Sequence, residues 1–125
     1  MNKKNEIVIN VRTNFLHQYS DYNKPEFIFA YYITIINYKK RTIKLIERHW
    51  EISDANGNIR IVDGKVVVGK QPIIKMGHSF KYNSYCPINT AFGGMKGYYK
   101  MKDEKGIFFN VDIPPFNFVV PSFSN

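Results

Sequence analysis

The stretch Thr42-Ile43-Lys44-Leu45-Ile46-Glu47-Arg48-His49-Trp50-Glu51-Ile52-Ser53-Asp54-Ala55-Asn56-Gly57 decides the fold. Ile46, Arg48, Trp50 and Ile52 alternate with Glu47, His49 and Glu51, which puts one set on each face of a pleated strand over residues 42–53. Asn56-Gly57 follows at once, the strongest short hairpin signal, because a tight two-residue turn needs positive φ. Asn58 to Val62 is then the return strand. Asp63-Gly64 gives a second turn signal, and Val66-Val67-Val68 is a short apolar run ended by Gly69.

The same period of two extends in both directions. Ile7, Ile9 and Val11 share a face over residues 6–13, and residues 15–25 read as a connection punctuated by Ser20, Asp21, Asn23 and Pro25. Residues 26–37 are apolar on both faces and read as a central strand. Gln71-Pro72-Ile73-Ile74 reads as an edge segment, since proline cannot donate to a ladder. After the turn at Met76-Gly77, His78, Phe80, Tyr82, Ser84 and Cys86 alternate along a strand. Residues 87–95 read as a loop. Gly97 to Asp103 and Ile107 to Ile113 pair around Glu104-Lys105-Gly106, with Pro114-Pro115 ending the second strand, and Phe116 to Asn125 extend it or trail off.

No window of a dozen residues keeps a helical period. The reading is all-β: an antiparallel β-sandwich or barrel of about seven to nine strands. Residues 1–125 are expected to form a single domain, with no repeat, linker or low-complexity segment. Ten Phe, nine Tyr and one Trp agree with strands. A hydrophobic share of 44% against 22% charged residues excludes a disordered chain.

Fourteen Lys and four Arg oppose ten Asp and Glu, for a net charge of +8. From Gly64 to Lys102 there is no acid, while Lys65, Lys70, Lys75, Lys81, Lys96, Lys100 and Lys102 fall in that span. If they share a face, that face attracts anions. The preference for Lys over Arg argues against a nucleic-acid partner, because Arg supplies bidentate phosphate and base recognition. Cys86 is the single cysteine, which excludes an internal disulfide and points to a reducing compartment. The amino terminus carries no apolar signal segment, and no apolar run approaches the roughly 20 residues that span a bilayer. These features predict a cytoplasmic protein without membrane insertion.

Residues that could carry chemistry are scattered. His17, His49 and His78 show no metal-ligand spacing with each other or with Cys86, so no metal or cofactor is expected. Cys86 reads as a buried, inert thiol; on one extended strand it stands about 26 Å from His78. No paired carboxylates suit general acid–base work. Trp50 reads as a core anchor, with His49 on the opposite face. Phe92, Tyr98, Tyr99 and Phe116 are candidates for an aromatic patch beside the lysines. Gly64-Lys65-Val66-Val67-Val68-Gly69 is the one glycine turn able to face a phosphate, although a dinucleotide fingerprint needs a third glycine and a following helix.

Several segments in order resemble the ApaG family. They are Arg48-His49-Trp50, Asp54-Ala55-Asn56-Gly57, Val67-Val68-Gly69-Lys70-Gln71-Pro72 and Ser79-Phe80-Lys81-Tyr82-Asn83-Ser84-Tyr85-Cys86-Pro87. Gly94-Met95-Lys96-Gly97-Tyr98-Tyr99 and Val111-Asp112-Ile113-Pro114-Pro115-Phe116 complete the set. The resemblance spans about residues 5–120 and implies a fibronectin-III-like or immunoglobulin-like sandwich. Members occur as small bacterial proteins and as C-terminal domains of eukaryotic proteins, including an F-box subunit and a polymerase-delta-interacting protein. Bacterial members carry a label of cobalt and magnesium efflux; a chain without a membrane span modulates such a process at most. The family's GxGxxG pattern would fall on Gly64, Val66 and Gly69, with its middle glycine replaced here. Met76-Gly77-His78 stands where the family usually has a turn such as Pro-Gly-Glu.

The expected function is a small non-catalytic interaction module that contacts a protein partner through an exposed loop at Phe92, Gly93 and Gly94. The alternative is a binder of pyrophosphate, nucleotide or another small polyanion through Gly64, Lys65, Gly69 and Lys70. Exposed sheet edges also allow a homodimer.

Overall fold

The computed structural model describes residues 6–65 and 69–121. Eight strands follow in order: β1 (Ile7–Phe15), β2 (Phe27–Asn37), β3 (Ile43–Asp54), β4 (Ile59–Gly64), β5 (Ile73–Ile74), β6 (Ser79–Ile88), β7 (Phe92–Asp103) and β8 (Phe108–Val119). A short 3-10 turn, His17–Tyr19, interrupts the β1–β2 connection. The strands form two antiparallel sheets, one ordered β1-β2-β6 and the other β4-β3-β7-β8, with β5 pairing the start of β3. This is the antiparallel β-sandwich that the alternation predicts, of the fibronectin-III-like kind that the family resemblance implies.

Hydrophobic alternation explains the stacking. Phe29, Ile33 and Ile35 of β2 face Leu45, Trp50, Tyr99, Met101 and Phe118 of the other sheet, all of them buried. Phe29 stacks on Phe118 across the layers at 4.8 Å, and Tyr31 meets Trp50 edge-on at 5.7 Å. Asn37 is the one buried polar residue among those described, and it is fully employed. Its side-chain amide donates to the carbonyls of Arg41 (2.8 Å) and Ile74 (2.9 Å), and its Oδ1 accepts the Lys39 N–H. One residue thereby ties the β2–β3 turn to β5.

The Asn56-Gly57 hairpin forms where expected, with Gly57 at φ 86°. Two boundaries differ from the sequence reading. Pro114-Pro115 do not end β8; the strand runs to Val119. Met95 pairs with Phe116 and Gly97 with Ile113, so Lys96 stands opposite both prolines in a bulge. β8 is an edge strand, where proline's missing donor costs little. The expected loop at 87–95 shrinks to residues 89–91, because Pro87 and Ile88 belong to β6 and β7 begins at Phe92. Val66-Val67-Val68 lies outside the described residues.

Candidate functional site

Gly64 ends β4 and is followed by Lys65, and the described residues resume at Gly69. Gly69 has φ 77°, a conformation that L side chains rarely adopt. The Gln71 amide donates to the carbonyls of Lys65 (2.7 Å) and Ile46 (3.0 Å), which ties Lys65 and Gln71 to each other and to β3. Lys65 and Lys70 are exposed. The four expected anion-binding residues therefore flank a stretch whose middle position, Val66, is outside the described residues.

Beside this turn the two sheets part. β4 and β6 are edge strands of opposite sheets, and the cleft between them encloses about 430 Å³. Buried core residues make its floor: Tyr31, Trp50, Ile52, Cys86 and Met95. Arg48, Arg60, Val62, Tyr82 and Ser84 line it further out, together with Gly69 of the turn. Among the described residues that line it there is no Asp or Glu. Arg48 lies on the inner face because it alternates with Trp50 and Ile52. A Cβ at Gly64 would overlap the Arg48 guanidinium, so glycine there gives Arg48 its place. Arg60 pairs with Ile52 in the hairpin register, and its Nη2 donates to the Pro87 carbonyl on β6 at 3.1 Å. The indole N–H of Trp50 is buried without a protein acceptor.

Other expected features come out differently. Phe92, Gly93 and Gly94 form no loop: they lie in β7, where Gly93 and Gly94 pair with Asp54 and Ser53 of β3, and Phe92 pairs with Val119 of β8. A glycine pair signals a loop in sequence, but here it lets two backbones approach closely. The aromatic patch does not form either. Tyr99 is wholly buried and Phe116 packs on Trp50, while Tyr98 faces outward. The lysines of the acid-free stretch are split, with Lys81 on the outer face of the smaller sheet and Lys96 and Lys100 on the outer face of the larger. The arginines of the cleft, not the lysines, supply converging positive charge.

His49 sits on the outer face, stacked on Tyr98 at 4.9 Å. Its Nδ1 is 2.5 Å from Asp63 Oδ1 and its Nε2 is 3.3 Å from Glu51 Oε2. The Asp63 hydrogen bond, aided by Glu51, raises the imidazole above its ordinary range despite some desolvation. Cys86 is buried, and desolvation pushes its thiol up to about 11. Tyr82 and Tyr99 hydrogen-bond each other through their hydroxyls, and burial raises both. Among the described residues no group of three His, Cys, Asp or Glu could hold a metal ion, and no helix is long and apolar enough to cross a membrane.

The fold and the cleft define a class: a fibronectin-III-like sandwich with an arginine-lined opening at one pair of sheet edges. Residues 17–103 match the ApaG domain. The chain is 40% identical to Protein ApaG of Brucella abortus over 115 residues, covering 92% of this chain and 88% of that protein. Protein ApaG of Beijerinckia indica is 42% identical over 116 residues, covering 93% and 89%. A structure described as the putative ApaA protein of Bordetella pertussis superposes with a TM-score of 0.89 at 35% identity, over 92% of this chain and 94% of that one. The structural-genomics target SoR45 gives 0.90 at 39% identity, over 96% and 91%. The chain belongs to the ApaG family.

Proposed function

We propose that this chain is a non-catalytic binding module whose ligand is a small polyanion, such as pyrophosphate or a nucleotide polyphosphate, held where the Gly64–Lys70 turn meets the cleft. One observation carries the reading: Arg48 and Arg60 line a single cleft that has no carboxylate among its described lining residues and Gly69 at its side. Guanidinium groups in a partly dry setting favour oxyanions strongly, and their planar forks match phosphate geometry. Lys65 and Lys70 add long-range attraction. The groups best suited to chemistry are otherwise engaged, His49 between two carboxylates and Cys86 as a buried thiol.

Calorimetric titration with pyrophosphate tests this. Saturable binding, weakened about tenfold or more in Arg60→Gln and several-fold in Lys65→Ala or Lys70→Ala, is the expected result. Absence of heat and of thermal stabilisation at millimolar pyrophosphate contradicts it.

A second reading, recognition of a protein partner, rests on β4. It is an edge strand, and Ile59 and Ile61 are 63% and 51% exposed on its outer side. Such an edge accepts an added strand from a partner or a second copy of the chain. Loss of co-purified protein in Ile61→Lys supports this reading. On either reading a link to cobalt or magnesium resistance runs through the ligand or partner, and the single cysteine suits the reducing cytoplasm.

A further inference from the structure

The cleft beside the basic turn is more than a ring of charge. Its floor is Trp50, Tyr31, Ile52, Cys86 and Met95, each at most 8% exposed, and Val62 and Pro87 continue the apolar wall. A bare phosphate touching only the two arginines leaves that wall unused. At about 430 Å³ the space matches sites that enclose small organic molecules, which are mostly apolar with a few placed polar groups. The polar groups of the lining are the guanidinium groups of Arg48 and Arg60 and the hydroxyls of Tyr31, Tyr82, Ser84 and Tyr85. The two guanidinium groups suit an oxyanion, and among the described lining residues there is no carboxylate.

We infer that the cleft takes an amphipathic organic anion: a phosphate or carboxylate head on Arg48 and Arg60, joined to a compact apolar or aromatic group that enters between the sheets against Trp50, Tyr31 and Met95. The inference rests on the anion-binding reading and narrows its ligand class. It separates ligands by their apolar part, which the glycine turn alone does not do. The aromatic floor favours a flat group, because offset stacking and edge contacts add to area burial. The head group orients the ligand, since guanidinium paired with an oxyanion is stronger than any neutral contact in the lining.

The test compares phenyl phosphate, benzoate, inorganic phosphate, pyrophosphate and phenol on the intact protein by calorimetry and by NMR. Phenyl phosphate is expected to bind at least tenfold tighter than inorganic phosphate, from burial of one ring. It is also expected to impose ring-current shifts on the Met95 methyl and the Trp50 indole, and Val62→Phe, which fills the cleft, removes its advantage. The ring-current shifts need no variant and stand if Val62→Phe folds poorly. Benzoate matching phenyl phosphate assigns the site to oxyanions in general; benzoate far weaker assigns it to phosphate esters, and both support the inference. Equal binding of phosphate and phenyl phosphate, without shifts at Met95 or Trp50, overturns it while leaving the anion reading intact. Phenol binding as tightly as phenyl phosphate also overturns it, because the arginines then do nothing. If no anion of the set binds, the anion reading itself falls, and the inference with it.

Discussion

Arg60 on β4 donates through Nη2 to the carbonyl of Pro87 on β6 at 3.1 Å, and so joins edge strands that belong to different sheets. The contact spans the cleft at the only point where a described side chain hydrogen bond links β4 to β6 apart from the weaker approach of the same group to Cys86 Sγ at 3.7 Å. A guanidinium in this position closes one side of the opening and has donors to spare for a ligand.

Arg60→Gln is expected to weaken pyrophosphate binding by about tenfold or more while costing less than about 1 kcal/mol of stability, because Arg60 is exposed and its bonds are few. Parallel calorimetry and urea unfolding check both halves. Equal affinity in the variant argues that the ligand sits elsewhere.

Gly64→Ala probes the same cleft indirectly. The new methyl overlaps the Arg48 guanidinium, which sits at the far end of a flexible chain and can swing aside. The expected result is a lower affinity with a small stability change, and Gly64→Ala combined with Arg48→Gln should lose no more affinity than Arg48→Gln alone. Full additivity in that cycle contradicts the link.

His49 makes stability depend on pH with a definite sign. Its folded pKa is raised above the unfolded value near 6.5 by Asp63 and then Glu51. The stabilisation is therefore complete below the unfolded pKa and is lost as pH rises through the folded one. The melting-temperature difference between the natural chain and His49→Gln should shrink as pH rises above about 6.5. A difference that grows with pH contradicts the assignment.

Asn37→Ala leaves the Lys39 N–H and the carbonyls of Arg41 and Ile74 without their partner at a fully buried position. The expected cost is about 2–4 kcal/mol, measured by denaturant unfolding. A loss below about 0.5 kcal/mol would mean that the network relaxes onto other partners.

Cys86 should react slowly with thiol reagents. With a pKa pushed up to about 11 and a buried side chain, only about a thousandth of it is thiolate at pH 8. Denaturant should restore ordinary reactivity, and a ligand in the cleft should slow the folded protein further.

Much of the fold was legible because a period of two survives in β1, β3 and β6, and because Asn56-Gly57 fixes one hairpin. The site was less so. Arg48 was visible as a charge on the apolar side of the Trp50 strand, an anomaly that marks either a buried pair or a site. Arg60 gained meaning only from the Ile52 register, and its neighbour Pro87 is distant in sequence. The Gly93-Gly94 pair misled, since glycine serves both loops and close strand approach, and only the pairing with Asp54 and Ser53 tells them apart. The lysine run does not share one face, because Lys96 and Lys100 lie on the outer face of the larger sheet and Lys81 on the outer face of the smaller. Asn37 gave no signal, because its partners are backbone groups up to 37 residues away.

Trp50 is the only tryptophan, so its indole N–H gives one unambiguous signal from the floor of the cleft. Titrating the labelled protein with pyrophosphate, while following that signal, tests most directly that the cleft is where the anion binds. The account predicts a saturable shift that follows the calorimetric binding curve and disappears in Arg60→Gln. A binding curve that saturates while the indole signal stays fixed would contradict it.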